Sequence, residues 1–149
     1  MRIYFDCCCL NRPYDDLSDS IVRMEAEAVL SIIDICESGK WFSFSSDVLL
    51  DEILGITNVD KRNKIILLYY TAKQHIDLTS DIVFRAKQLE RCNIKSYDAL
   101  HAASAESAGA DVLLTTDRGF INAAGSSDAK IPVKNPLVWL AEVLYDTKS

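Results

Sequence analysis

Short apolar runs alternate along this chain with longer segments whose apolar residues recur every three to four positions. Residues 1–6 are an apolar run rich in Ile, Tyr and Phe that closes on a carboxylate, Asp6, and this pattern predicts a buried strand. Residues 7–13 read as a small, polar-leaning connection. Asp19 or Ser20 caps a long helix to about residue 38, with Ile21, Met24, Ala28, Ile32 and Ile35 as its inward stripe and Gly39 as its stop. Residues 41–45, with Trp41, Phe42 and Phe44, form a short strand, and Ser45 or Ser46 caps a second helix to about Gly55.

The alternation continues. Residues 61–73 predict a helix with Ile65, Leu68 and Ala72 on one side, and residues 75–78 a brief strand. Thr79 or Ser80 caps a helix to about Arg91, and Ser96 caps another that ends at Gly109. Residues 111–115 are a strong β run, 118–124 a short helix, 125–130 a loop and 131–133 a last strand. Pro136 opens a final helix carrying Leu137, Leu140 and Leu144 inward. Strands alternating with helices mean parallel pairing and right-handed crossovers. The expected fold is α/β: a three-layer α/β/α sandwich around a central, mostly parallel sheet of about five strands, as a single domain over residues 1–149.

Composition narrows the class. At 149 residues with 49% hydrophobic and 26% charged side chains, the chain is an ordinary globular one, long enough for a real core. Its apolar runs are too short for a membrane span, and residues 1–6 do not look like a signal peptide, so a cytoplasmic placement is expected. The five cysteines, three of them adjacent at Cys7, Cys8 and Cys9 with Cys36 and Cys92 far off, form neither a disulfide framework nor a zinc spacing. They read as small buried thiols near a strand end. A net charge of −6 argues against a general nucleic-acid coat. It leaves open an enzyme whose acids hold metal ions, because a bound cation reverses the local field.

Four acids stand out. Asp6 ends the first strand, where ligands bind in open α/β sheets; taken alone, it reads equally as an acid that caps or turns the chain. On a helical wheel of about 100° per residue, Val48, Leu49, Ile53 and Ile56 form an inward stripe. Glu52 falls inside that stripe, while Asp47 and Asp51 face solvent. A Glu there is costly unless paired or bound to a cation, although a snorkelling Glu is the plainer reading. Asp98 lies in the first turn of its helix, where the helix dipole alone favours an anion, on the face shared by Ala102 and Ala105. His101 lies on a neighbouring face and reads as structural. Asp117 follows the strand that ends near Thr115, with the hydroxyls of Thr115 and Thr116 before it; its plainer reading is a helix cap. Four clustered carboxylates repel one another unless a cation compensates them. Mg²⁺ or Mn²⁺ suits such a site, and metal-assisted phosphodiester hydrolysis is its natural chemistry.

Asp6 after an N-terminal strand, Glu52, the run from Tyr97 through Asp98, Ala99, Leu100 and His101 to Ala103, and the stretch from Gly109 to Asp117 resemble the four acidic motifs of PIN domains. The resemblance covers essentially the whole chain. It implies a metal-dependent ribonuclease of the kind found as the toxin of VapBC-type toxin–antitoxin pairs, with Asp6, Glu52, Asp98 and Asp117 holding Mg²⁺ or Mn²⁺ and Thr115 as the hydroxyl of the fourth motif. RNA cut in this way keeps a 5′-phosphate and a 3′-hydroxyl. The implied partners are an RNA substrate, an antitoxin whose amphipathic helix fills an apolar groove among the first helices, and a second copy of the chain. An apolar surface patch within residues 21–35 or 61–72 would support such contacts.

Residues 7–13 depart from well-studied toxins and point to a separate subgroup with Asn11 and Arg12 near the substrate. Arg12, Lys95 and Arg118 lie beside the motifs as phosphate contacts or as ordinary solvated cations. Two other functions compete. A catalytically silent domain acting as a protein- or RNA-binding module would be expected to have lost some of the acids. A phosphatase with Asp6 as nucleophile commonly needs a second Asp two residues on, where Cys8 stands.

Overall fold

The computed structural model describes residues 1–148. Its strands are β1 (Arg2–Phe5), β2 (Phe42–Ser46), β3 (Gln74–Ile76), β4 (Val112–Leu114) and β5 (Val133–Lys134). They form one sheet in the order β3-β2-β1-β4-β5, and every pairing is parallel. β1 sits at the centre, with the chain leaving it to β2 on one side and returning through β4 on the other. That reversal of strand order opens a crevice at the carboxyl end of β1.

The helices are α1 (Cys7–Asn11), α2 (Ser20–Glu37), α3 (Asp47–Leu54), α4 (Val59–Tyr69), α5 (Ser80–Glu90), α6 (Ser96–Ser107), α7 (Arg118–Gly125) and α8 (Pro136–Lys148). Strand side chains alternate between faces, so β1 feeds two cores. Ile3 and Phe5 pack with Val29 and Ile32 of α2, Ile53 of α3 and Trp139 of α8. Tyr4 packs on the other face with Leu89 of α5, Ala102 of α6 and Phe120 of α7. The three-layer α/β/α sandwich expected from the sequence is therefore the observed one.

Several boundaries and faces differ from expectation, each for a local reason. Residues 7–13 are not a loop: α1 and a 3-10 turn at Arg12–Tyr14 occupy them. Asp6 Oδ1 accepts the Cys9 N–H at 3.0 Å, which caps α1 and buries Cys7, Cys9 and Leu10. On α2 the buried set is Glu25, Ala26, Ala28, Val29, Ile32, Ile33 and Cys36, whereas Ile21 and Met24 are 47% and 38% exposed. The stripe is rotated because α2 packs against the 3-10 turn and α8 as well as the sheet. α4 starts earlier than expected because Asn58 Oδ1 accepts the Lys61 N–H at 3.1 Å. Asn58→Ala is expected to cost about 1 kcal/mol, read as a lowered urea midpoint. α6 begins at Ser96, and Lys95 occupies its cap position without a side-chain hydrogen bond.

The edge strands shift too. β3 stops at Ile76, because the Leu78 N–H turns to Asp47 Oδ2 at 2.7 Å. Pairing of the last strand starts with the Pro132 carbonyl, which accepts the Leu113 N–H at 2.9 Å, while Ile131 is buried in the core on the α6 side of the sheet. On α8 it is Trp139, not Leu144, that reaches the core. Trp139 is 6% exposed against 46% for Leu144, and its ring meets Trp41 edge-on at 5.3 Å. All five cysteines are free thiols; Cys7, Cys9 and Cys36 are buried and Cys8 is exposed. Burial pushes the Cys7 thiol up to about 12 and the Cys36 thiol up to about 11, so without a metal both are thiols at neutral pH.

Candidate active site

The carboxyl edge of β1 and β4 is assembled by register. Asp6 is extended and its N–H donates to the Leu114 carbonyl at 3.1 Å, so it continues the alternation of β1 and shares Tyr4's face toward α6. Pairing of Tyr4 with Leu113 and of Phe5 with Leu114 places Thr115 beside Asp6. The Thr115 hydroxyl is fully buried. It lies beside the Asp6 carboxyl and eases its ionisation, and it accepts the Asp117 N–H at 3.1 Å. One hydroxyl thus sits between both strand-end acids. Both acids also act as caps: Asp117 Oδ1 accepts the Phe120 N–H at 3.2 Å at the start of α7. The capping readings and the site geometry hold at once, because each cap bond uses one oxygen.

The other two acids come from helices. Ala99, Ala102 and Ala105 of α6 are all fully buried, which lets the helix backbone lie close to the sheet and brings Asp98 over its edge. Asp98 and Asp117 line a small cleft of about 80 Å³ with Asn93, Lys95, Gly119 and Phe120. On α3, Val48, Leu49 and Ile53 are buried, and Glu52 rises among them with its side chain 31% exposed. Glu52 does not stand alone: His101 Nε2 lies 2.9 Å from its Oε1. His101 is 1% exposed, and its other nitrogen faces the Tyr4 hydroxyl at 2.6 Å. Neither Tyr4 nor His101 was legible as a site residue. The available signal was the spacing of His101 three residues beyond Asp98, which puts both on adjoining faces of one helix turn.

The electrostatics record the crowding. Asp6 is pushed up to about 6, first by burial and further by Asp98, against the opposing pull of the Thr115 hydroxyl and the Cys9 N–H; a proton gained by His101 would pull it back down. Asp98 is also pushed up to about 6, by burial, then by Asp117 and Glu52, with Lys95 opposing and with His101 opposing only in its protonated form. Asp98 is therefore the acid through which the edge is coupled: it acts on Asp6, and Asp117 and Glu52 act on it. Their donor atoms are all carboxylate oxygens, the set that hard divalent cations such as Mg²⁺ and Mn²⁺ take. No three of them close to within 4.8 Å among the described residues.

A different group does close to that distance. Asp47, His75 and Asp77 bring one ligand atom each within 4.8 Å of the others, and such a trio can hold a divalent cation. His75 Nε2 lies 2.8 Å from Asp47 Oδ1 and 3.5 Å from Asp77 Oδ1. This trio is exposed, lies at the ends of β2 and β3, and mixes nitrogen with oxygen. Its chemistry favours borderline metals, whereas the all-oxygen set at β1 and β4 favours Mg²⁺ and Mn²⁺.

The basic residues divide. Lys95 and Arg118 are exposed beside the acids. Arg12 is not a free cation: its guanidinium lies 3.0 Å from Asp15 and 3.2 Å from the buried Glu25. Glu25 is in turn bound by the Asn135 amide at 2.5 Å. Arg12 therefore joins the 3-10 turn to α2. Asn11, expected beside it, is half-buried at the end of α1.

A parallel, five-stranded α/β/α sandwich with acids gathered at its central carboxyl edge defines the class of protein. The PIN domain family matches residues 17–126, and the chain belongs to that family. Glu52, Asp98 and Asp117 fall inside the matched segment, and Asp6 lies before it. The fold is similar to that of VapBC2 from Rickettsia felis, solved bound to a DNA fragment from its promoter, with a TM-score of 0.61 and 13% identity over 91% of this chain and 98% of that one. It is also similar to PAE2754 from Pyrobaculum aerophilum, with a TM-score of 0.54 and 19% identity over 95% and 90% of the two chains. No curated protein matches the chain. Among the described residues, no helix is long and apolar enough to cross a membrane.

Proposed function

We propose that the chain is a metal-dependent endoribonuclease and the toxin of a toxin–antitoxin pair, with Asp6, Glu52, Asp98 and Asp117 as the ligands of Mg²⁺ or Mn²⁺. The observation that carries this reading is the placement of Asp6 and Asp98, from elements far apart in the chain, at one sheet edge where both are pushed up to about 6. Acids held together at such a cost mark a functional site. A bound cation there supplies an activated water and neutralises charge on the phosphodiester. Thr115 lies beside the Asp6 carboxyl while orienting the Asp117 backbone, and Lys95 and Arg118 meet backbone phosphates at the rim.

Two exposed apolar pairs, Ile21 with Met24 at the start of α2 and Leu67 with Tyr70 at the end of α4, are the places where an antitoxin's amphipathic helix or a second copy of the chain would dock. Similarity to a VapBC complex supports the antitoxin. A protein- or RNA-binding module without catalysis is the second reading, favoured by the net charge of −6 and by the engagement of Arg12 with carboxylates.

Purified protein incubated with mixed cellular RNA is expected to cut it with Mg²⁺ or Mn²⁺ and to stop when EDTA is added. Asp98→Asn is expected to lower cutting at least about 100-fold, the scale on which one electrostatic group of a site acts. A folded, partner-free protein that cuts nothing in either metal would instead favour the binding module.

A further inference from the structure

Four side chains run in a continuous hydrogen-bonded line from the end of β2 to Glu52. Ser46 Oγ lies 2.8 Å from the Tyr4 hydroxyl, that hydroxyl 2.6 Å from His101 Nδ1, and His101 Nε2 2.9 Å from Glu52 Oε1. Ser46, Tyr4 and His101 are each no more than 1% exposed. Away from bulk water, every O–H and N–H in the line needs an acceptor within it.

That requirement sets the protons. Ser46 Oγ already accepts the Leu49 N–H at 3.0 Å. An ionised Glu52 only accepts, so His101 donates to it from Nε2. A neutral ring then has a bare Nδ1, which accepts the Tyr4 O–H, and the Tyr4 oxygen accepts the Ser46 O–H. Each proton is used once. A ring protonated on both nitrogens would make Tyr4 turn its proton onto Ser46, leaving the Ser46 O–H with no acceptor among the described residues. A ring protonated on Nδ1 alone would set a bare nitrogen against a carboxylate oxygen, a contact between two acceptors.

We propose that Tyr4 and His101 are positioning residues for the cation site: Tyr4 holds His101 as its Nε2–H tautomer, and that N–H pins Oε1 of Glu52 so that Oε2 is presented to the cation. The proposal rests on the reading of Glu52 as a cation ligand. Glu52 is the one acid of the four on a long, partly exposed side chain, so it is the one whose rotamer freedom most needs removing before a cation arrives. α6 does this with the same turn that supplies Asp98, since His101 follows it by three residues. Partners that orient a ligating group typically change metal affinity by about 10- to 100-fold.

The test joins two measurements on the full chain. Nitrogen-15 spectra of the imidazole rings in metal-free protein, with His75→Asn separating the two histidines, read the tautomer. Calorimetric titration with Mn²⁺ reads affinity in wild type, Tyr4→Phe, His101→Ala and His101→Gln, each first checked for folding by circular dichroism and urea. The wild-type ring is expected as a single Nε2–H tautomer, and Tyr4→Phe as a mixture. Mn²⁺ affinity is expected to fall about 10-fold in Tyr4→Phe and up to about 100-fold in His101→Ala. His101→Gln, whose amide N–H can stand where Nε2–H stood, restores most of the loss. A wild-type ring protonated on Nδ1 or on both nitrogens overturns the proton order. Wild-type Mn²⁺ affinity in folded Tyr4→Phe and His101→Ala overturns the positioning role. A wild type that binds no Mn²⁺ removes the ligand role of Glu52 and the positioning role with it, while the ring spectrum still reports the tautomer.

Discussion

Asp6→Asn is expected to stabilise the cation-free protein at pH 7.5 while removing its affinity for Mn²⁺. Asp6 is 2% exposed, and its carboxyl is pushed from an ordinary 3.8 up to about 6. In the folded chain it therefore keeps its proton to a higher pH than in the unfolded chain. The unfolded state binds fewer protons between these values, so stability falls as pH rises from about 4 through about 6 and stays low above. For a buried carboxyl shifted this far the loss is about 3 kcal/mol. Asn carries no charge, keeps a side-chain oxygen to cap α1, and can still accept from the Thr115 hydroxyl. Urea unfolding in EDTA should show a raised midpoint for Asp6→Asn at pH 7.5 and little change at pH 4.5. A lowered midpoint at pH 7.5 would mean that the ionised carboxyl supports the fold, contrary to the desolvation cost inferred for it.

The affinity for Mn²⁺ is expected to fall between about 10- and 100-fold from pH 7 to pH 5. A cation takes ionised carboxylates and displaces protons that Asp6 and Asp98, both pushed up to about 6, hold below that pH. One unit below its own value, each acid weakens binding about tenfold. Partial exposure of Asp98 moderates its share. Calorimetry in two buffers of different ionisation enthalpy counts the protons released, and release near pH 6 is the signature. The same titration separates the two candidate cation groups. Affinity that disappears in Asp98→Asn but survives in His75→Ala places the ion at β1 and β4. The opposite result would move it to Asp47, His75 and Asp77.

Each of the four candidate acids carries a local oddity in the sequence: a carboxylate closing an apolar run at Asp6, one inside an apolar stripe at Glu52, one on a face of alanines at Asp98, and one after a β run at Asp117. Alternating periodicity gave the layers. Local pattern failed where a second surface competed with the sheet. The face of α2 is decided by contacts with the 3-10 turn and α8, so Ile21 and Met24 stay outside and Glu25 goes in. Likewise the conversion of residues 7–13 into α1 depends on Asp6 acting as a cap, and Trp139 is selected over Leu144 by Trp41 waiting across the chain.

The sequence by itself determined the alternating α/β order, the parallel sheet and the residue types able to hold a hard cation, because periodicity and charge are local properties. Only the tertiary structure decided that Thr115 sits between Asp6 and Asp117, that Arg12 is bound to Glu25, and that His101 and Tyr4 reach Glu52. Those relations join residues far apart in the chain, as Tyr4 and His101 are at 97 positions. Strand register and helix packing, which no short window of sequence contains, are what bring them within hydrogen-bonding distance.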